Sequence, residues 1–288
     1  MQVVSDSGSD HAAGQIEGLN IHFAPLRINL DGHDYVSGVD LSPKDFYSLL
    51  GKTESFPITS QPSAGDFAQL YRELARTDPE ILSIHLSSGL SGTFNSAIAG
   101  AAMVPEAHVT VVDSKTLSCP LGWQVEAAAR AVRAGWSKEK ILAMLVRLQA
   151  QTEGLFTLNS LKYLIHGGRI SHLKGLLASL LNIKPVIGVE KERGTYVSLG
   201  QEITFKRAIQ KLADVVGNFN RPGASLRVQL IHGDNLEGLE ILRQKLCQTF
   251  DCHFDPIVNV APVLGAHTGP SVVGMAVAPI EAYMEVPG

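Results

Sequence analysis

The sequence predicts an α/β protein of two domains, the first built on a parallel sheet and the second on a mixed sheet. Three observations carry this prediction. Up to about Gln151, strand-like and helix-like stretches alternate, the rhythm of a parallel sheet with helices on both faces. Beyond that point Lys184–Glu190 and Thr195–Leu199 read as a hairpin around Arg193-Gly194. Leu226-Arg227-Val228-Gln229-Leu230 alternates as a half-buried strand. The 288 residues suit one large or two ordinary domains. The expected division is 1–155 for the first domain and 156–288 for the second.

Each element has a local reason. Val3-Val4-Ser5 is a first strand ending in Asp6-Ser7, and Ile21–Ala24 a second. Ser42-Pro43 opens a short helix, with Ser as N-cap and Pro at the first helical position. Phe56 to Pro62 is rich in turn residues. Ser63 and Asp66 form an approximate capping box for a helix to about Arg76. Strand Ile81–His85, helix Phe94–Val104 and strand Val109–Val112 follow, then helices Pro120–Ala134 and Ser137–Gln151. Leu155–Leu158 is a short strand. Asn159 caps a helix that stops at Gly167-Gly168, and Ser171 starts another through about Leu181. Thr204–Phe219 and Leu236–Phe250 are helical. Val258–Val260 and Ser271–Ala278 are strands around a Gly/Pro-rich loop, Gly265 to Pro270.

Composition narrows the function. With 45% hydrophobic and 18% charged residues the chain is globular rather than disordered. A net charge of −4 speaks against a general nucleic-acid binder. Cys119, Cys247 and Cys252 make no disulfide framework. Cys247, Cys252 and His253 lack the second cysteine pair of a closed zinc site, so no metal is expected. The chain opens without a basic-then-apolar signal segment. The most apolar region, Leu173–Val189, is broken by Lys174, Asn182, Lys184 and Pro185, a poor membrane span. The expectation is a soluble, cytoplasmic protein.

The most informative stretch is Ser87-Ser88-Gly89-Leu90-Ser91-Gly92-Thr93, between a strand and a helix. Such a loop offers hydroxyls and backbone N–H groups at a helix start, where an anion is favoured. No charged residue lies from Ser83 to Ser96, so the ligand would be held by neutral donors. Asp6-Ser7, Ser87–Thr93 and Asp113-Ser114 all follow strands and should gather at one sheet edge, within reach of Thr59-Ser60. Gly89-Leu90-Ser91-Gly92-Thr93 misses a nucleophile elbow by one residue, Thr93 standing for the last Gly. A serine hydrolase acting on an acyl ester through Ser91 and His267 is therefore an alternative, although no acidic partner for His267 is evident. A plainer reading has Ser91 or Thr93 merely capping the next helix. A third has the loop binding another anion, such as a phosphorylated metabolite.

Gly51-Lys52-Thr53 resembles the end of a P-loop, but Phe46 stands where its first Gly belongs. No dinucleotide fingerprint or H-E-x-x-H pattern occurs. Arg169, after Gly167-Gly168, can project toward the domain junction. His166 and His172 read as surface or packing histidines. His267, in its Gly/Pro-rich loop, reads as a hydrogen-bond partner. The run Leu176–Leu181 is a helix core or the wall of an apolar cavity.

Six motifs in order resemble the DegV family almost end to end: Val3-Val4-Ser5-Asp6-Ser7, Thr59-Ser60-Gln61-Pro62-Ser63, Leu86–Thr93, Val112-Asp113-Ser114, Gly167-Gly168-Arg169-Ile170-Ser171 and Gly265-Ala266-His267-Thr268-Gly269-Pro270. Leu176–Pro185 resembles the family as well. The resemblance implies a long-chain fatty acid with its acyl chain buried near the domain junction and no other cofactor. Its carboxylate would be held by Thr59 and Ser91, with their loop neighbours Ser60 and Gly92 and with His267; Arg169 would be accessory. The resemblance further implies a carrier, not an enzyme. It would present the carboxylate to an ATP-dependent fatty acid kinase for acyl-phosphate formation and phospholipid synthesis, with a transient membrane-surface contact as a further partner. Two positions depart from the family. Asp10-His11-Ala12-Ala13 replaces a run toward Leu-Pro, and Phe94 replaces a Tyr. The physics fits a tail-driven ligand. At roughly 0.8 kcal/mol per buried methylene, ~14 methylenes contribute on the order of 11 kcal/mol before ordering and association costs.

Overall fold

The chain leaves its first sheet at Asp113, runs through two helices and enters another sheet at Glu153. The computed structural model describes residues 1–173 and 183–288. The predicted helix reaching Leu181 and the run Leu176–Leu181 lie largely or wholly outside the described residues.

Four parallel strands form the first sheet, in the order β2 (Ile21–Ala24), β1 (Gln2–Asp6), β6 (Glu80–His85) and β7 (His108–Asp113). The intervening helices are α1 (Pro43–Leu50), α2 (Ala64–Ala75), α3 (Thr93–Ala102), α4 (Ser118–Arg133) and α5 (Lys138–Gln151). Two begin as their caps dictate. Ser42 Oγ accepts from Asp45 N–H ahead of Pro43, and Ser63 and Asp66 complete a reciprocal capping box. A second, small sheet of β3 (Arg27–Leu30), β4 (His33–Val36) and β5 (Ile58–Ser60) was not evident in the sequence. Its strands are three or four residues long, too short for alternation to register.

The third sheet is mixed and holds seven strands. Its main path runs β10 (Tyr196–Glu202), β9 (Lys184–Val189), β8 (Glu153–Thr157), β14 (Val273–Pro279), β11 (Ser225–His232) and β12 (Asp251–Phe254), with β13 (Val258–Asn259) also on β11. The β9–β10 hairpin is antiparallel, pairing Tyr196 with Val189. The described residues of this half also form helices α6 (Lys162–His166), α7 (Phe205–Val216), α8 (Leu236–Cys247) and α9 (Pro262–Thr268) and 3-10 turns over Arg169–Leu173 and Ile280–Tyr283.

Two sequence expectations change here. Asn159 does not cap α6, which starts after Leu161 with no side-chain cap. His267 lies on helix α9, not in an irregular loop. Ala261, the N-cap of α9, has no capping side chain. Instead the buried Asp10 carboxylate accepts its N–H at 2.9 Å. A partner 251 residues away cannot be read from local pattern.

Helix α4 joins the two halves. It packs on β1 and β6 of the first sheet and on β8 and β14 of the third. Nearly all of it is buried, the mark of a helix enclosed on all sides. Trp123 donates to Gln229 Oε1 at 2.6 Å. Arg227 stacks on Trp123 with its carbon 4.3 Å from the ring centre and pairs with Glu126 and Asp255. No helix among the described residues is long and apolar enough to cross a membrane.

Candidate functional site

The loops after β1, β6 and β7 converge, and two carboxylates, buried Asp6 and half-buried Asp113, tie them together. Asp6, fully buried at the end of β1, accepts from Gly8 N–H at 2.8 Å, Leu86 N–H at 3.0 Å and the His85 ring at 2.9 Å. A buried carboxylate has to be satisfied in this way, because leaving it unpaired is costly. His85 continues to Ser83 at 2.7 Å, and Ser83 to the Tyr71 hydroxyl at 2.8 Å. From β7, Asp113 Oδ1 accepts Ser88 N–H at 3.1 Å. The Ser87–Thr93 loop is thus held at its base by both neighbouring strands.

Its far side rests on the β9–β10 turn. Ser87 Oγ donates to Gly194 O at 2.8 Å. Gly194 has φ of 66°, and a Cβ there would sit 2.0 Å from Ser87 Oγ. Any other residue would be strained and would push the loop away.

Thr59, Ser91, Arg169 and His267 line one cavity of about 40 Å³. Thr59 comes from β5, Ser91 from the loop before α3, Arg169 from the 3-10 turn and His267 from α9. Thr59 Oγ1 and His267 Nε2 are 2.8 Å apart. Ser91 Oγ and Thr93 Oγ1 are 2.9 Å apart. Each hydroxyl facing the cavity therefore has one supporting partner behind it. Arg169 donates to Gly167 O at 2.6 Å and Leu90 O at 3.4 Å, so backbone carbonyls hold part of its fork.

Burial lowers the His267 pKa from 6.5 to about 4, helped by the Arg169 and His166 charges. The imidazole is neutral at pH 7. Its Nδ1 has no hydrogen-bond partner among the described residues and lies against Gly167, where a Cβ would come within 2.1 Å of it. This close approach explains the first glycine of Gly167-Gly168.

A second cavity, also of about 40 Å³, is almost wholly apolar and includes Phe156, Val189, Ile231 and Met275 in its wall. Leu117, Tyr196 and Leu264 line both cavities. The cavity that carries the polar side chains and the apolar one are thus neighbours with a common wall.

Of the residues singled out in sequence, Thr59, Ser91, His267 and Arg169 meet at one cavity. Gly92 is the N-cap of α3, behind the lining residues. Ser60 is exposed and alternates with Thr59 on β5, which turns it to the other face. Sequence reasoning missed Thr93 as a support for Ser91, and Tyr196 and Leu264 as wall residues. Only Thr93 carried a signal, as a neighbouring hydroxyl. The hydrolase alternative finds no support. His267 pairs with Thr59 rather than Ser91, and its Nδ1 lacks the carboxylate that would orient a catalytic base. Among the described residues no group of three or more His, Cys, Asp or Glu is placed to hold a metal.

Fold and site define an α/β protein with a parallel sheet in its first half and a mixed sheet in its second, in which one cavity lined by Thr59, Ser91, Arg169 and His267 shares part of its wall with an apolar one. The chain belongs to the DegV family: the profile described as an uncharacterised protein of that family matches residues 1–279. A DegV domain-containing protein of Staphylococcus aureus is 36% identical over 275 residues, covering 96% of this chain and 97% of the relative. Another, from Deinococcus radiodurans, is 34% identical over 277 residues, with 96% and 95% covered. Among solved structures, a fatty-acid-binding DegV family protein of Thermus thermophilus superposes with a TM-score of 0.87 at 30% identity, covering 96% of this chain and 99% of that one. DegV of Bacillus subtilis, described as a fatty acid binding protein, gives 0.86 at 29%, with 96% and 98% covered. A stearic-acid-binding protein of Eubacterium ventriosum gives 0.81 at 26%, with 97% and 98% covered.

Proposed function

We propose that this protein binds a long-chain fatty acid, buries the acyl chain across the two cavities, and presents the carboxylate to an ATP-dependent fatty acid kinase for acyl-phosphate formation and phospholipid synthesis. One observation carries the reading: Thr59, Ser91, Arg169 and His267 share a cavity whose inner wall is also the wall of an apolar one. The fatty-acid-binding relatives support it. In this reading His267 Nε2–H donates to Thr59 Oγ1 and Thr93 supports Ser91. Both hydroxyl protons then point to the carboxylate, and the neutral donors leave its charge available to attack a phosphate. Gly92 and Ser60 shape the loops that carry these groups. The protein itself performs no phosphoryl transfer, and its place of action would be the cytoplasm, with transient contact at a membrane surface.

The domain assignment stays part of the proposal. Head-group loops belong mainly to 1–155 and chain enclosure to 156–288. Both halves nevertheless supply each cavity: Leu117 and Ser118 reach the apolar one, and Arg169, Tyr196 and His267 the polar one.

Mass spectrometry of lipid extracted from purified protein, followed by rebinding to delipidated protein, is the test. A bound long-chain fatty acid is expected. Delipidated protein that takes up none would end the proposal. Acyl-phosphate, trapped as a hydroxamate, should form only when a kinase and ATP are added; formation by this protein with ATP alone would contradict the carrier role.

A further inference from the structure

We infer that Tyr196 is a specificity-determining residue: its ring forms a waist between the polar and apolar cavities, and the acyl chain must be straight where it passes. The inference rests on the fatty-acid reading above. Leu117, Tyr196 and Leu264 are the residues common to both walls. The two leucines present smaller side chains. A Tyr ring is flat and stiff, with two side-chain torsions.

The backbone that carries the ring is fixed from several sides. Tyr196 pairs with Val189 in the β9–β10 ladder. One residue earlier, Thr195 O accepts Glu190 N–H at 3.0 Å. Two residues earlier, Gly194 O accepts Ser87 Oγ across the domain junction. The ring itself meets Phe156 edge-on, with centroids 5.3 Å apart. A hairpin shift would break these contacts together, so the chain can pass only by rotation of the ring and repacking of the leucines. Repacking of a close-packed wall is limited.

An extended polymethylene has the smallest cross-section a chain can offer. A cis double bond bends it, and a methyl branch widens it. Either feature is tolerated within a cavity but clashes at the waist. Selection should therefore depend on the position of the kink along the chain, not simply on its presence.

The test measures affinity for a series of equal-length fatty acids in which one cis double bond is moved stepwise from carboxylate to tail. For the unaltered protein, affinity should drop by about tenfold at one or two adjacent positions and recover on either side. Tyr196→Ala should flatten that drop, whereas Tyr196→Phe, which keeps the ring, should retain it. Should Tyr196→Ala fail to fold, Tyr196→Leu removes the flat ring with less loss of volume and carries the same expectation. A flat profile in the unaltered protein, or a drop unchanged in the Ala or Leu variant, overturns the waist while leaving fatty-acid binding intact. Absence of fatty-acid uptake by the unaltered protein overturns both.

Discussion

Burying a neutral His267 makes a measurable demand on the fold. Its pKa falls from 6.5 to about 4, first because burial penalises the charged ring and then because Arg169 and His166 repel it. On acidification the unfolded chain takes up this proton before the folded one does. Stability from the neutral imidazole is therefore whole above pH 6.5 and drains away as the pH falls toward 4. The gap corresponds to about 3 kcal/mol. The perturbation is His267→Gln, which keeps an N–H able to donate to Thr59 Oγ1 but cannot titrate. Urea unfolding of both proteins from neutral pH down to pH 4 gives the difference in stability at each point. His11 also has a pKa lowered to about 4, by burial, while Asp10 titrates in the opposite sense. Both are common to the two proteins, so the difference isolates His267. It should shift against the unaltered protein by about 2–3 kcal/mol across this range. A difference that stays constant with pH would refute the buried neutral ring and, with it, the Thr59–His267 pair as the structure has it.

Other perturbations test the remaining parts of the argument. Asp10 has its pKa raised to about 6 by burial, against the bonds from Ser118 and Ala261; the protonated form is favoured on folding, so its contribution is whole below pH 3.8 and is lost as the pH rises through 6. Relative to the unaltered protein, Asp10→Asn should therefore gain about 3 kcal/mol across that rise, read by denaturant unfolding at both ends; a flat difference would contradict the buried carboxyl. Gly194→Ala should cost about 2 kcal/mol or more, from positive φ and the clash with Ser87, seen as a fall in Tm; an unchanged Tm would mean the turn does not bear on the loop. Trp123→Phe leaves Gln229 Oε1 without its donor and should cost about 1–3 kcal/mol, measured in urea. Thr59→Val should weaken fatty-acid binding about tenfold, by fluorescence competition on protein shown to be folded, and cost about 1 kcal/mol or more of stability by leaving His267 Nε2 without its partner; unchanged affinity would remove Thr59 from the head-group site.

Much of this protein is legible in its sequence wherever the cause is local. Ser42-Pro43 and Ser63 with Asp66 start helices because their side chains satisfy N–H groups three residues away. The parallel first sheet follows from alternating patterns, and the polar strand-end loops converge because parallel strands place them on one edge. The six motifs singled out Thr59, Ser91, Arg169 and His267, which line one cavity. Distant contacts were beyond it. Helix α9 exists in a Gly/Pro-rich stretch because Asp10 satisfies the N–H of Ala261 at its start. Strands β3 to β5 depend on one another rather than on their own composition. Tyr196 reads locally as one residue of a hairpin, and only packing places its ring between two cavities. The sequence by itself determined most of the elements and the hydroxyl-rich character of the strand-end loops, since caps, alternation and turn residues act over a few residues. The tertiary structure alone decided which hydroxyl is backed by which partner and which side chains line both cavities, since those depend on groups far apart in the chain, Thr59 and His267, 208 residues apart, being the case in point.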